Sequence, residues 1–197
     1  MTDIVERLRQ AKAEYDKGGS EFYDEVLHEV SDRAAAAGSV GKLEIGALVL
    51  WKRIRADSPW TKQLVSMSDA EVRAITSRAM AAANDLTATV VEAAAKARVE
   101  LLPLPGCRTS RAVPSAILTA MAPARMAVYD RRAHNGLWDL FDGDVPRRYS
   151  YHQYIEVVDG LREQLGDGWT NRDVDLALYT FGRLSGARLP ISGLPRT

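Results

Sequence analysis

The chain has 197 residues, of which 46% are hydrophobic and 26% charged, with 26 basic residues against 26 acidic ones and a single cysteine. These totals fit one globular unit, or two closely packed lobes, with enough apolar residues for a real core. They exclude a disulfide framework and a four-cysteine zinc or iron–sulfur site within one chain, and they argue against nucleic-acid binding through bulk charge alone.

The N-terminal stretch MTDIVERLRQ is charged and lacks the apolar core of a signal peptide, so a cytoplasmic setting is expected. Ile4, Val5, Leu8, Ala11 and Tyr15 recur at helical spacing over residues 2–16, and Gly18-Gly19 ends that helix. Residues 20–37 repeat the pattern with Phe22, Val26, Leu27 and Val30, and stop at Gly38. A strongly apolar helix is predicted over 41–55, with Leu43, Ile45, Leu48, Leu50 and Trp51. Ser58-Pro59 opens a short helix, with proline where its missing N–H does no harm. Ser68 and Glu71 have capping-box spacing and predict a helix over 69–83. The Ala-rich run from Ala79 to Ala97 contains Asn84, Asp85, Glu92 and Lys96, which removes it as a membrane span, and a helix is predicted from Leu86 to Leu101.

Pro103, Pro105 and Gly106 then break the chain. Helices are predicted over 109–121, from Asp130 to Phe141, from Tyr151 to Leu165 and from Asn171 to Arg183, with an irregular tail over 185–197. Period-two apolar alternation is absent, so the expected class is all-α.

The segment 104–134 departs from the neutral balance. It holds Arg108, Arg111, Arg125, Arg131 and Arg132 against one acid, Asp130. An arginine-rich solvated face and a phosphate-binding face both fit that bias. Leu104-Pro105-Gly106-Cys107-Arg108-Thr109-Ser110-Arg111 ends one helix in a tight turn and opens another. Such a turn offers backbone N–H groups to an anion, and equally serves as a plain capped helix–turn–helix junction.

The order Leu104-Pro105-Gly106, Ala112, Ala116, Pro123 and then Ala127-Val128-Tyr129-Asp130 resembles the helix-hairpin-helix DNA glycosylase superfamily, which includes endonuclease III, adenine glycosylases and 8-oxoguanine DNA glycosylases. The resemblance covers residues 96–138 and marks a divergent, bacterial-type member. It implies a two-lobed helical fold, with a middle lobe of about 41–142 and a second lobe of about 1–40 plus 149–185. It further implies DNA, in duplex form with a flipped base, as partner. DNA contacts would come from Gly106, Cys107, Arg108, Thr109, Ser110 and Arg111, and the catalytic positions would be the Asp130 carboxylate and Ser110, which holds the family's lysine position, with no cofactor and no metal.

Two departures bear on mechanism. Arg108 stands where the family hairpin has its second glycine. Ser110 stands where strand-cleaving members carry lysine, and a serine cannot form a Schiff base. The resemblance therefore implies a monofunctional enzyme that uses water. Asp130 would stabilise the positive charge that builds on the sugar and activate that water. Two other readings of Asp130 stay open: a helix N-cap, and an ion pair with Arg131 or Arg132.

Trp51 and Lys52 are within reach of the expected cleft, although the core and solvent claim them equally well. Tyr151, Tyr154 and Trp169 offer stacking faces but suit packing better. His28, His134 and His152 are too scattered for a metal site, and no phosphate-binding glycine loop or nucleophile elbow is present. Cys107 reads either as a reactive thiol or as a small apolar filler. The main alternative to a glycosylase is a DNA-binding module that kept the hairpin and lost catalysis. A helical interaction protein without nucleic acid is the third.

Overall fold

A computed structural model describes residues 2–19 and 22–186 of the chain. Among these residues there are ten helices and no strand. They are α1 (Thr2–Gly18), α2 (Glu25–Ala37), α3 (Lys42–Trp51), α4 (Pro59–Ser66), α5 (Asp69–Ala83), α6 (Val90–Glu100), α7 (Ala112–Met121), α8 (Arg131–Leu140), α9 (Tyr151–Leu165) and α10 (Asn171–Gly186). The class is all-α. No helix among the described residues is long and apolar enough to cross a membrane. Ser185 and Gly186 complete α10, and the rest of the tail expected to be irregular lies outside the described residues.

Local chemistry explains most helix starts. Ser68 Oγ accepts from Glu71 N while Ser68 N donates to Glu71 Oε2 at 2.7 Å, the reciprocal box read from the sequence. Thr89 with Glu92 and Ser150 with Gln153 make the same arrangement. The box at Thr89 explains why α6 starts at Val90 rather than near Leu86. Ahead of it, Asp85 Oδ1 accepts from Thr87 N and holds the chain in a turn.

Two other boundaries differ from expectation. α3 stops at Trp51 instead of running to 55. Arg53 N donates to Leu50 O, Ile54 N donates to Val49 O, and Arg53 itself sits at φ 50°. A left-handed arginine is uncommon, so residue type gave no warning of this stop. α7 starts at Ala112 instead of 109. Cys107 N and Ser110 N donate to Leu104 O and Gly106 O, which keeps 104–110 as consecutive turns.

One continuous apolar core joins the helices. α10 lies against α8, α1 and α9, α5 pairs with α6, and α6 also meets α9. α2 packs on α3 and α7. These contacts cut across the expected lobe boundaries. α8, expected in the middle lobe, packs on α10, whereas α2, expected with the termini, packs on α3 and α7.

The α8–α10 crossing sets the position of the N-terminus of α8. A Cβ at Gly136 would run into the carbonyl oxygen of Leu178, and a Cβ at Gly182 into the carbonyl oxygen of Arg132. The two backbones touch where both helices carry glycine. Gly182→Ala is expected to lower stability. Overpacking costs about 1–3 kcal/mol, more than the roughly 1 kcal/mol that alanine gains over glycine in a helix. Gly160→Ala in α9, where a Cβ meets nothing within 4 Å, is expected to raise stability. Thermal denaturation of the two variants checks both signs.

Candidate functional site

A cleft of about 730 Å³ opens where the end of α3 faces α1, α8 and α10. It is lined by Tyr15, Gly18 and Gly19 from the end of α1 and by Tyr23 ahead of α2. Lys52 and Arg53 follow from the end of α3, Asp130, Arg131 and Arg132 from the start of α8, and Tyr179 and Arg183 from α10. Five basic side chains thus surround one carboxylate, in a chain of zero net charge.

Asp130 is the N-cap of α8. Its Oδ1 accepts from Arg132 N at 2.8 Å and Ala133 N at 3.0 Å. Its Oδ2 accepts from Lys52 Nζ at 3.1 Å. The side chains of this pair are 19% and 8% exposed, respectively. Burial alone would raise the Asp130 pKa, but the Lys52 charge and the hydrogen bonds from Ala133 N, Lys52 and Arg132 N outweigh it and hold the carboxyl below its ordinary value. Asp130 is therefore a partly buried, ionised carboxylate at the cleft wall. The N-cap role and a catalytic role are both open to it, because the cap uses Oδ1 and leaves Oδ2 on the Lys52 side. The ion pair open to Asp130 in the sequence is made with Lys52 rather than with Arg131 or Arg132.

Lys52 extends past aromatic faces. Its Nζ lies 5.1 Å from the Trp51 ring centroid and 6.0 Å from that of Tyr179. On the far side of the cleft Arg132 donates to Tyr179 OH and stacks over the same ring at 5.2 Å. Burial, together with the nearby Asp24 charge, pushes the Tyr15 phenol up to about 12, and burial raises that of Tyr23. Tyr15 and Tyr23 therefore present neutral rings to the cleft at neutral pH.

A buried ionic network backs this wall. Arg172 donates to Asp175 and, through Nη2, to both oxygens of Asp24 at 2.9 and 3.1 Å. Asp24 also accepts from Trp51 Nε1 at 3.1 Å, and Arg172 lies over the Trp51 ring. Burial pushes the Asp175 carboxyl up to about 6 against the lowering pull of Arg172 and Lys52, while the two flanking carboxylates keep Arg172 protonated. Tyr154 OH reaches both Val128 O and Asp175 Oδ1, and its ring stacks on Tyr129 at 4.4 Å.

The hairpin residues lie elsewhere. The space above Gly106, at φ 83°, is filled by Trp60 of α4, with a built Cβ 2.7 Å from the ring. Packing against Trp60 therefore requires a glycine at this position. Cys107 is fully buried, its carbonyl accepts from Arg98, and burial pushes its thiol up to about 12. It is an inert filler, and its side chain is out of reach of any DNA. Arg108 is exposed, with Nε donating to Leu102 O at 3.1 Å, and Thr109 is exposed beside it. Ser110 Oγ accepts from Val113 N at 3.2 Å, a capping role, and Ser110 does not line the Asp130 cleft. Arg111 donates to Tyr129 OH at 3.1 Å and covers the same ring.

The hairpin instead borders a separate groove of about 500 Å³ between itself and α4, lined by Pro59, Trp60, Gln63, Pro103, Pro105 and Arg108 among others. Of the five arginines in 104–134, Arg131 and Arg132 line the cleft. Arg125 holds the α5–α6 connection through Ala83 O, Asp85 O and Ala88 O.

Trp51, Tyr151 and Tyr154 are buried, Trp169 packs on the core, and none of the four lines the cleft. Sequence reasoning passed over Arg53, Arg183, Tyr15, Tyr23 and Tyr179, which are distant along the chain and carry no motif. No group of three or more metal-ligating side chains occurs among the described residues. Comparison of the chain with family models, curated proteins and solved structures returns no match.

Asp175→Ala is expected to cost about 3–5 kcal/mol, because it strips one partner from a buried guanidinium. Asp175→Asn keeps an acceptor for Arg172 and is expected to cost less. Urea denaturation of the two variants checks the order.

Proposed function

We propose that this protein is a DNA glycosylase of helix-hairpin-helix type, hydrolysing the N-glycosidic bond of a damaged or modified base. The observation that carries this reading is Asp130: a carboxylate kept ionised beside an ammonium group, at the wall of a cleft ringed by arginines. A leaving base makes the sugar cationic, and a fixed carboxylate stabilises that charge and orients the attacking water.

The surroundings suit such a substrate. The cleft volume falls within the range of small-molecule pockets and has room for a single extruded nucleotide. Arg53, Arg131, Arg132 and Arg183 offer charge to flanking phosphates, and Tyr15, Tyr23 and Tyr179 offer ring faces to a base. The cleft forms where the end of α3 faces α1, α8 and α10. The hairpin contributes at a second point. The amides of Arg108 and Thr109 make no hydrogen bond among the described residues, and both side chains are exposed, so a phosphate has access there. Ser110 supplies no amine, which is why water is assigned as the nucleophile.

A second reading, a DNA-binding protein without catalysis, is favoured by one observation. Asp130 already accepts three hydrogen bonds, two at Oδ1 and one at Oδ2, which leaves little of it free for water.

Incubation with duplexes that each carry one modified base separates the two. The enzyme reading expects free base and an alkali-labile abasic site. Asp130→Asn, which can still cap α8, is expected to slow release by roughly a hundredfold or more while DNA binding persists. Binding without release on any duplex of a broad panel would leave the second reading standing. Arg131→Ala is expected to weaken binding about equally across sequences and to reduce the slope of log affinity against log salt by roughly one, measured by fluorescence anisotropy.

A further inference from the structure

We propose that the cleft also accepts free nucleoside triphosphates carrying a modified base, and hydrolyses the same N-glycosidic bond in them. The inference rests on the reading of the cleft as a site of base release. It goes beyond that reading by adding a second substrate class, a single nucleotide in place of a DNA strand.

The first observation is a charge imbalance. Asp130 is the acidic side chain that lines the cleft, and Lys52 already pairs with it. Arg132 donates to the Tyr179 hydroxyl rather than to an acid. The guanidinium groups of Arg53, Arg131 and Arg183 have no hydrogen-bond, ion-pair or ring partner among the described residues. Four guanidinium groups thus line one cleft with no carboxylate to balance them, in a chain of zero net charge. An extruded nucleotide within a strand brings about two negative charges, from its flanking phosphodiesters. A nucleoside triphosphate brings about four at neutral pH, because its terminal phosphate carries nearly two. The free triphosphate is the closer match to the excess.

The second observation is the distribution of the remaining arginines in 104–134. Arg111 is tied to Tyr129 and Arg125 to the carbonyls of Ala83, Asp85 and Ala88, so unpartnered charge is gathered in the cleft instead of along the hairpin. Guanidinium groups suit phosphate oxygens because their N–H donors bind in pairs. The third is space and lining. The cleft has a volume of about 730 Å³, within the range of pockets that enclose a small ligand. Tyr15 and Tyr23 offer ring faces from α1 and the segment before α2, while Arg131, Arg132 and Arg183 come from α8 and α10. Base and triphosphate are therefore served by different elements.

The reaction balances without an oxidant or reductant. Water adds to C1′ as the C1′–N bond breaks. The bond pair leaves on the base nitrogen, which gains the proton that the water loses by way of Asp130. Free base and a sugar triphosphate result.

The test uses the full chain. Isothermal titration with deoxyguanosine and its mono-, di- and triphosphate is expected to show affinity rising with each phosphate, by roughly a hundredfold from mono- to triphosphate. Arg53→Gln and Arg183→Gln each remove a charge without removing a contact among the described residues. Each is expected to lower triphosphate affinity roughly tenfold with the melting temperature unchanged. Deoxynucleoside triphosphates with oxidised, deaminated or alkylated bases are then incubated with the protein, and at least one is expected to yield free base by chromatography and the sugar triphosphate by mass spectrometry. Affinity that ignores phosphate number, equal affinity for inorganic triphosphate, full affinity in both variants, or no base release from any free triphosphate would overturn the proposal. Release from a duplex but from no free triphosphate would also end it, and would leave the DNA glycosylase reading intact. Release from a free triphosphate but from no duplex would keep this proposal and remove the DNA reading.

Discussion

Arg172 is a guanidinium held away from water between Asp24 and Asp175, and the geometry of the cleft depends on it. Asp24 precedes α2, Asp175 lies one turn further along α10, and the Trp51 ring at the end of α3 stacks on the guanidinium while its indole N–H donates to Asp24. Three chain segments that are far apart in sequence converge on this one cation. Such a cluster is costly to desolvate and adds little net stability over an apolar equivalent, but it accepts only one arrangement of its members. That arrangement fixes Trp51, and Lys52 is the next residue.

From the other side, Asp130 is placed by backbone contact. The close approach of α8 to α10 at Gly136 and Gly182 leaves no slack in the position of the first turn of α8, whose amides hold Oδ1. Lys52 and Asp130 therefore meet because two constraints converge, one ionic and one steric, both anchored on α10. Each end of the pair is preorganised before any ligand enters, which is the condition for electrostatic stabilisation in a reacting site.

The fold was legible in the sequence to the level of helices, because apolar periodicity and the Ser68 and Asp130 caps are local signals, whereas the Thr89 box that starts α6 at Val90 was passed over. Other boundaries failed where the deciding feature was not local: the left-handed Arg53 that ends α3, and the turns over 104–110 that delay α7. Asp130 was found through its distance from Leu104-Pro105-Gly106. Lys52 was placed within reach of the cleft from its position at the end of the apolar helix, but Arg53, Tyr179 and Arg183 were not, since they are assembled with it only by tertiary packing. The arginines behind the bias over 104–134 divide in the structure. Arg131 and Arg132 face the cleft, whereas Arg111 and Arg125 are structural braces. At position 106 nothing in the sequence pointed to Trp60, whose ring leaves no room for a side chain there.

The phenol of Tyr129 takes a hydrogen bond from Arg111 in the hairpin and another, at 3.1 Å, from Tyr149 N ahead of α9. Tyr129 is joined to Asp130 by a single peptide bond, and its ring is clamped by stacking on Tyr154. The hairpin is thus tied, through one phenol, to the residue that precedes the carboxylate. Hairpin and cleft open as separate depressions, yet they share Tyr129 as a common brace.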